Sequence, residues 1–589
     1  MTRMGRTPYN KKIPGTDGGS LASETGGWKK KWKDRLPVGL IYPNTYRVGM
    51  SNLGFQLVYA LLNRHPSIVA ERIFLPDTEN SPLSVESGRP LGDFPILLCS
   101  VSFEHDYLLL LKLLAMAGIP PLASERAAGT GPASPGRPLI MAGGVATFIN
   151  PEPLAPFIDL FIIGEAEPTL PPILDYLVDH LFGLDRKNLL WEIASRFPAT
   201  YAPGFYEIAY NADGTLAAMT APAGLPTRIK KVILPTAEQA AGHSQILTPH
   251  AEFADLYMTE LGRGCSRGCR FCAAGFVYRP PRLWTVDAIL KALAERPDKA
   301  RRIGLLGMEM AKPGDLGPIA NYLLDNGCSL SFSSLRADVI SPELLEVLKK
   351  SGLKSAAIAP DGASERLRRV INKGITEDDI LNAAASLVQA GIMHLKLYYM
   401  IGLPTETEQD LDEMLNLILM VKKKILAHGR AKGRLGHMTI SLNSFIPKPW
   451  TPFQYHPFAA VASLREKIRH LQKQLAGEAN IALTTERPEK TYFQAVLARG
   501  DRRLGSALLD IGTATAPTWQ KALLRHGLQA DFYAGRQRDQ FELMPWEIID
   551  HGIDRGYLWH EYEKALAGRT TTPCDPSICR RCGVCHDAD

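Results

Sequence analysis

Three cysteines share one short loop, in the segment G-R-G-C-S-R-G-C-R-F-C. They are Cys265, Cys269 and Cys272, spaced C-x3-C-x2-C. Three thiolates so close together can hold three irons of a 4Fe-4S cluster and leave the fourth without a protein ligand. An open coordination position is what a catalytic metal centre needs. Gly262, Gly264 and Gly268 give the loop backbone freedom to wrap such a group. A structural zinc loop is the alternative. Zinc sites of that kind take four protein ligands, and no fourth Cys or His stands nearby.

A second group closes the chain. Cys574, Cys579, Cys582 and Cys585 are spaced C-x4-C-x2-C-x2-C, with His586 as a substitute ligand. Four thiolates suit a closed site, either zinc or a second 4Fe-4S cluster. The short spacing is ferredoxin-like without being the standard one. A cluster there could relay electrons or bind substrate; an unmetallated tail is the remaining reading. Cys99 on an apolar strand and Cys328 beside one read as small core residues.

The elements that must position these groups alternate between strand and helix. Short apolar runs at 38–42, 96–101, 139–142 and 160–163 are separated by helical patterns at 52–62 and 108–117, which predicts a parallel sheet. Gly143-Gly144 and Gly164-Glu165 follow strands directly, where they serve either close ligand approach or a tight turn. Residues 205–250 carry four prolines and read as strands plus linker. A second series of strands is predicted at 256–261, 302–307, 328–334, 354–359, 394–401 and 437–444, with helices between them. Six parallel strands with crossover helices suggest an open or partial barrel, whose ligands sit at the carboxyl ends of the strands.

Composition sets the frame. The chain has 589 residues, with 45% hydrophobic and 22% charged, which is ordinary globular material and excludes wholesale disorder. Its net charge of +6 is too mild to signal a nucleic-acid binder. No run reaches ~20 apolar residues, so no membrane-spanning helix is expected. The N-terminus lacks an apolar stretch behind its charges and reads as no secretory signal, so a reducing cytoplasm is expected. Residues 1–35 read as a flexible basic tail, with Trp28-Lys29-Lys30-Lys31-Trp32-Lys33 as a solvated charge run.

These motifs, in this order, resemble the radical S-adenosylmethionine (SAM) superfamily. The loop C-S-R-G-C-R-F-C is followed by I-G-L-L-G-M-E, S-F-S-S-L-R-A-D, I-A-P-D-G-A-S-E-R-L-R-R-V-I-N-K, L-K-L-Y-Y-M-I-G-L-P-T-E-T-E and S-L-N-S-F-I-P-K-P-W-T-P-F. The resemblance implies a partial (β/α)6 TIM-like barrel. Cys265, Cys269 and Cys272 would ligate the cluster. Its open iron would bind the amino and carboxylate groups of SAM, and reductive cleavage would give a 5′-deoxyadenosyl radical. The backbone at Phe271 would meet the adenine, with Ile401, Gly402 and Leu403 packing on it. Gly307, Met308 and Glu309 would lie beside the methionine amino group, in a departure from the family's Gly-Gly-Glu. Ser364 would approach the ribose, and Arg366 or Arg336 the carboxylate, which a guanidinium fork suits.

The N-terminal part, with I-M-A-G-G-V-A-T, N-P-E-P-L and D-L-F-I-I-G-E-A-E, resembles the doubly wound domain that precedes the core in cobalamin-binding radical SAM proteins. Cobalamin is therefore an expected candidate, although D-x-H-x-x-G is missing; a cobalamin-free domain shaping the substrate pocket is the alternative. The stretch L-A-R-G-D-R-R-L reads as an exposed helix start, or as the lining of a substrate channel. The division expected is a tail 1–35, a cobalamin-binding-like α/β domain 36–245, a radical SAM core 246–460, a C-terminal helical extension 461–572 and a Cys-rich tail 573–589. The resemblance implies a radical enzyme, with cobalamin-assisted methylation as one reaction and an electron donor such as flavodoxin or ferredoxin as partner. The alternatives are a tRNA-modifying methylthiotransferase-like enzyme, a non-catalytic iron–sulfur electron-transfer protein, or a nucleic-acid-binding module using the basic tail.

Overall fold

The computed structural model describes residues 19–127, 136–235, 241–307, 315–332, 335–431 and 436–585. Met308, Glu309 and His586 lie outside the described residues.

The apolar runs of the first third form one six-stranded sheet. In chain order its strands are β1 (Leu36–Tyr42), β2 (Ile68–Phe74), β3 (Ile96–Ser100), β4 (Leu139–Gly143), β5 (Leu160–Ile162) and β6 (Thr200–Tyr201). The spatial order is β2-β1-β3-β4-β5-β6, parallel except for β6. Helices α1 (Leu53–Arg64), α2 (Asp106–Met116) and α3 (Ala166–His180) supply crossovers. Strand β2 is buried along its whole length, as parallel strands covered on both faces must be. Order reverses between β1 and β3, and ligands on doubly wound sheets bind at the carboxyl ends beside such a reversal.

The second series has seven strands rather than six. They are β7 (Leu256–Glu260), β8 (Arg302–Leu306), β9 (Ser329–Phe332), β10 (Ser355–Asp361), β11 (His394–Ile401), β12 (His437–Ser444) and β13 (Ile481–Thr485). Two all-parallel sheets, β7-β8-β9 and β10-β11-β12-β13, are joined by a parallel bridge between Leu335 and Ile358. The intervening helices are α4 (Val286–Ala294), α5 (Leu316–Asp325), α6 (Pro342–Lys350), α7 (Glu377–Gln389), α8 (Glu408–Ala431) and α9 (Val461–Leu475). Local sequence starts several of them. Ser341 accepts from the Leu344 amide with Pro342 as first helical residue, and Thr376 and Asp379 form a capping box. Strand β13 pairs with β12 from Met438↔Ile481 to Leu442↔Thr485, so the parallel sheet extends into the segment expected to be a purely helical extension.

Two other expectations change. Residues 24–35 are anchored, not a loose tail. Thr25–Gly26 pairs with Ile246–Leu247, and Glu24 holds buried Arg72 at 2.8 Å. The Trp32 indole donates to Glu71 at 2.6 Å, and the Lys30 ammonium donates to the carbonyls of His65 and Ile68. The indoles give the basic run an apolar face to bury, which a lysine run alone lacks. The segment L-A-R-G-D-R-R-L is not an exposed helix start. Buried Arg499 donates to the carbonyls of His456, Ala534 and Arg536. Arg502 pairs with Glu152 at 2.9 Å, and Asn150 donates to the carbonyls of Ala498 and Gly500. This segment bonds the C-terminal part to N-P-E-P-L on the first sheet.

Among the described residues, no helix is long and apolar enough to cross a membrane.

Candidate metal centre

The loop bearing Cys265, Cys269 and Cys272 leaves the carboxyl end of β7. Its stem is a two-residue antiparallel pairing, Gly262–Arg263 with Arg282–Leu283. Two glycines shape it. Gly264 has φ +86° and would bring a Cβ within 2.7 Å of the Tyr278 carbonyl; Gly268 has φ +70°. Any side chain at Gly264 would be strained both by conformation and by contact.

Side chains pin the loop from both ends. At the stem, Glu165 takes Arg282 at 2.5 Å and Arg263 at 3.0 Å. Arg263 also reaches Glu167 at 2.6 Å and Glu260 at 3.1 Å. Thus G-E-A-E at the end of β5 is a carboxylate clasp on both strands of the stem. Burial raises the Glu165 carboxyl, but Arg282 and Arg263 outweigh it and hold it below the usual carboxylate range. Its stabilising contribution is therefore complete above the ordinary glutamate value near ~4.3 and is lost as pH falls through the depressed folded value. Glu165→Gln leaves two buried guanidinium groups short of a counter-charge. It is expected to cost about 3 kcal/mol in urea unfolding at neutral pH and to flatten the loss of stability on acidification.

Within the loop, Arg270 is fully buried between two of the cysteines. It donates to Glu561 at 3.0 and 3.1 Å, to the Val370 carbonyl at 2.9 Å and to the Arg569 carbonyl at 2.8 Å. Glu561 lies on α11 (Arg555–Leu566), so the C-terminal part holds the loop directly. Asn372 donates to the carbonyls of Arg267 and Gly268 and accepts from the Thr571 amide at 2.8 Å.

The thiols are unpaired by disulfides. Burial pushes the Cys272 thiol up to about 12, helped by neighbouring Cys269. Cys269 is raised by burial against the pull of Lys373 and Arg336. A metal group must displace these protons on binding. Among the described residues, no three His, Cys, Asp or Glu side chains are gathered as a group that could hold one metal ion. A cubane takes one thiolate per iron, so its ligands stand further apart than those meeting ~2.3 Å from a single zinc.

The other expected residues divide into those near the loop and those committed elsewhere. Arg336 lies close enough to Cys269 and Cys265 to feel their charge, with its fork on Asp338 at 2.9 and 3.1 Å. Phe271 is half-buried on the loop, and Gly307 is exposed at the end of β8. Arg366, expected at a cosubstrate carboxylate, is instead held by Asp410 at 2.5 Å and by Thr405. Ser364, expected at the ribose, caps the helix Glu365–Val370 by accepting from Leu367 and donates to Asp410. Both are drawn off by one buried carboxylate 44 or more residues away in sequence. Ile401, Gly402 and Leu403 are buried at the end of β11, where the Gly402 amide donates to Glu406 at 3.0 Å. Sequence reading missed Lys373, which pairs with half-buried Asp361 at 2.5 Å and is raised by its charge and that of Cys269 against burial. It closes the N-K of the fourth motif, a lysine next to an apolar helix end.

A cavity of about 580 Å³ separates the two sheets at their carboxyl ends. Gly143, Gly144 and Gly164 form part of its wall, with Ser100 and Ser102; the stem of the cysteine loop and Gly307 close the other side. Gly144 has φ +109°, and a Cβ there would lie 2.4 Å from the Val101 carbonyl. Gly143-Gly144 is therefore a required turn that also forms part of the cavity wall. Gly144→Ala is expected to cost at least about 1–3 kcal/mol, read as a lowered unfolding midpoint.

Residues 54–203 match the family described as Radical SAM proteins, N-terminal, and residues 259–418 match the Radical SAM superfamily. The chain is a radical SAM protein. Its radical SAM domain begins within β7 and carries the cysteine loop, and the superfamily it belongs to is one of enzymes that use a 4Fe-4S cluster and SAM. The chain is 29% identical over 506 residues to an uncharacterised protein of Methanocaldococcus jannaschii, MJ0966, covering 85% of this chain and 97% of that one. Among solved structures it is similar to OxsB, a cobalamin-dependent SAM radical enzyme with aqua-cobalamin bound. That match has TM-score 0.45 and 18% identity and covers 65% of this chain and 52% of OxsB, about half its length. It is also similar to TsrM of Kitasatospora setae, a radical SAM methyltransferase, with TM-score 0.44, 12% identity and coverage of 73% and 76%.

Proposed function

We propose that Cys265, Cys269 and Cys272 hold a 4Fe-4S cluster and that SAM is reductively cleaved at the iron they leave open. The observation that carries this reading is the loop itself. Three thiols stand at the carboxyl end of β7, on a loop locked by two sets of buried ion pairs. When bound, the cluster and SAM supply one-electron cleavage of the sulfonium; the protein supplies the rest. Buried Arg270 and the Glu165 clasp fix the thiols in place. Arg336 and Lys373 put positive charge beside Cys265 and Cys269, where the carboxylate of SAM needs a partner. Gly307 leaves the strand end beside the cavity uncrowded. Anaerobically reconstituted protein, given a reductant and SAM, is expected to release 5′-deoxyadenosine. Failure to do so with a full cluster would favour a non-catalytic electron-transfer protein.

A second reading concerns the cavity. It lies at the end of a doubly wound sheet beside the strand-order reversal, where such folds bind cofactors. Leu40, Leu98 and Ile162 give it apolar walls, and Asn52, Ser100 and Ser102 offer polar groups. These fit the apolar ring and amide fringe of cobalamin. Bound there, cobalamin would supply methyl transfer. Titration with hydroxocobalamin is expected to give one equivalent retained through gel filtration. No retention would leave the cavity to the substrate.

A further inference from the structure

The four C-terminal cysteines lie against the first cysteine loop. The Cys574 amide donates to the Ser266 carbonyl, next to Cys265, at 2.7 Å. A gap of only about 10 Å³ is lined on one side by Ser266, Arg267 and Gly268 and on the other by Cys574, Cys579 and Cys582. Arg279, Asn372 and Tyr557 also form part of its rim. Buried Arg279 sits at the same seam, close enough to Cys582 to be raised by its charge. The segment is well anchored. Cys582 and Cys585 are buried, the Asp554 amide donates to the Cys582 carbonyl at 2.8 Å, and Gly583 turns at φ +89° beside Gly552.

The opposite face of this segment meets solvent. Ile578 is 79% exposed, and Arg569, Arg580 and Arg581 on the same stretch of chain are exposed. The nearby acid, Asp575, is turned onto Ser577 at 2.6 Å. An exposed apolar residue on a stretch rich in exposed arginines is complementary to an acidic protein surface.

We propose that Cys574, Cys579, Cys582 and Cys585 hold a second 4Fe-4S cluster that carries electrons from an acidic one-electron carrier protein to the cluster at Cys265, Cys269 and Cys272. The proposal rests on the radical SAM reading above. In each transfer the reduced carrier is oxidised by one electron and the C-terminal cluster is reduced. That cluster then passes the electron inward, returning to its oxidised state, and the core cluster is reduced ready to cleave SAM. No proton or ligand changes hands. The chain thus places a complete set of four thiols, which leaves no open iron for substrate, directly against the loop of the open-iron site.

The test uses the full chain reconstituted anaerobically with iron and sulfide. Iron and zinc are counted, and the electron paramagnetic resonance (EPR) signal of the core cluster is followed during reduction by dithionite and by reduced flavodoxin. The wild type is expected to hold about eight irons, and Cys574→Ser/Cys579→Ser about four, without zinc in either. In that variant the core signal still forms with dithionite and still shifts with SAM, but reduction by flavodoxin is lost. Ile578→Asp keeps every thiol and about eight irons, and flavodoxin reduces it about tenfold or more slowly, within the span of interface variants. A zinc retained beside four irons overturns the proposal. So does equal flavodoxin reduction of the wild type and Ile578→Asp, or of the wild type and the double variant with its core cluster intact. A core signal that SAM does not shift in the wild type fails the radical SAM reading instead, and is recognised separately from these outcomes.

Discussion

Changing Cys265, Cys269 and Cys272 together to alanine is expected to remove about four irons per chain and to take SAM cleavage to background. Unfolding of the rest of the protein should change little. The thiols are half-buried on a loop, and the fold around them is built from other contacts. The stem is held by Glu165, and the far side by Arg270, Asn372 and the α11 helix. Metal counting, 5′-deoxyadenosine release and a urea unfolding curve on the same preparations separate the loss of a cofactor from the loss of a fold. Single variants should lose nearly as much activity as the triple variant, because a cluster held by only three thiolates has none to spare.

Arg270→Ala is expected to be the most damaging single change outside the cysteines. Its guanidinium is fully buried and meets one carboxylate and two or more backbone carbonyls. Removing it leaves Glu561 buried without its main partner, at a cost of about 3–5 kcal/mol, and frees the loop between Cys269 and Cys272. Burial raises the Glu561 carboxyl, but Thr571, Arg270 and Lys564 outweigh it and hold it below the usual range. Its contribution is therefore present above ~4.3 and lost as pH falls through the depressed folded value. The wild type should consequently keep its iron until pH falls below ~4.3, and Arg270→Ala should bind little iron at neutral pH. Arg270→Lys should not rescue it, because an ammonium cannot span the same set of acceptors. Iron content and unfolding midpoint measured side by side check both points.

Much of this arrangement was legible in the amino-acid order because it is local. The apolar runs of β1, β3, β4, β5 and β7 to β12 are bounded by glycines, prolines and helix caps, and each falls where the pattern predicts. The spacing of the cysteines needs no tertiary information either. What escaped is long-range. Arg366 and Ser364 resemble cosubstrate ligands, but Asp410, on the next crossover helix, claims both. Arg270 and Glu561 are 291 residues apart, and nothing local marks an arginine between two cysteines as a buried anchor. The tryptophans at 28 and 32 read as decoration on a charged tail until the sheet edge they cover is known. Strand β13, Ile-Ala-Leu-Thr-Thr, is too short and too polar to stand out from a helical neighbourhood. In each case a distant partner sets the role, and spacing along the chain carries no sign of it.

The central claim is that SAM binds the iron left open by Cys265, Cys269 and Cys272. EPR spectroscopy of the reduced, reconstituted Cys574→Ser/Cys579→Ser variant, with and without SAM, reads that iron with the second site removed. A reduced-cluster signal that changes shape and g-values on adding SAM, and decays as 5′-deoxyadenosine forms, is the predicted result. A signal indifferent to SAM at saturating concentration, from a cluster of full iron content, would contradict the account.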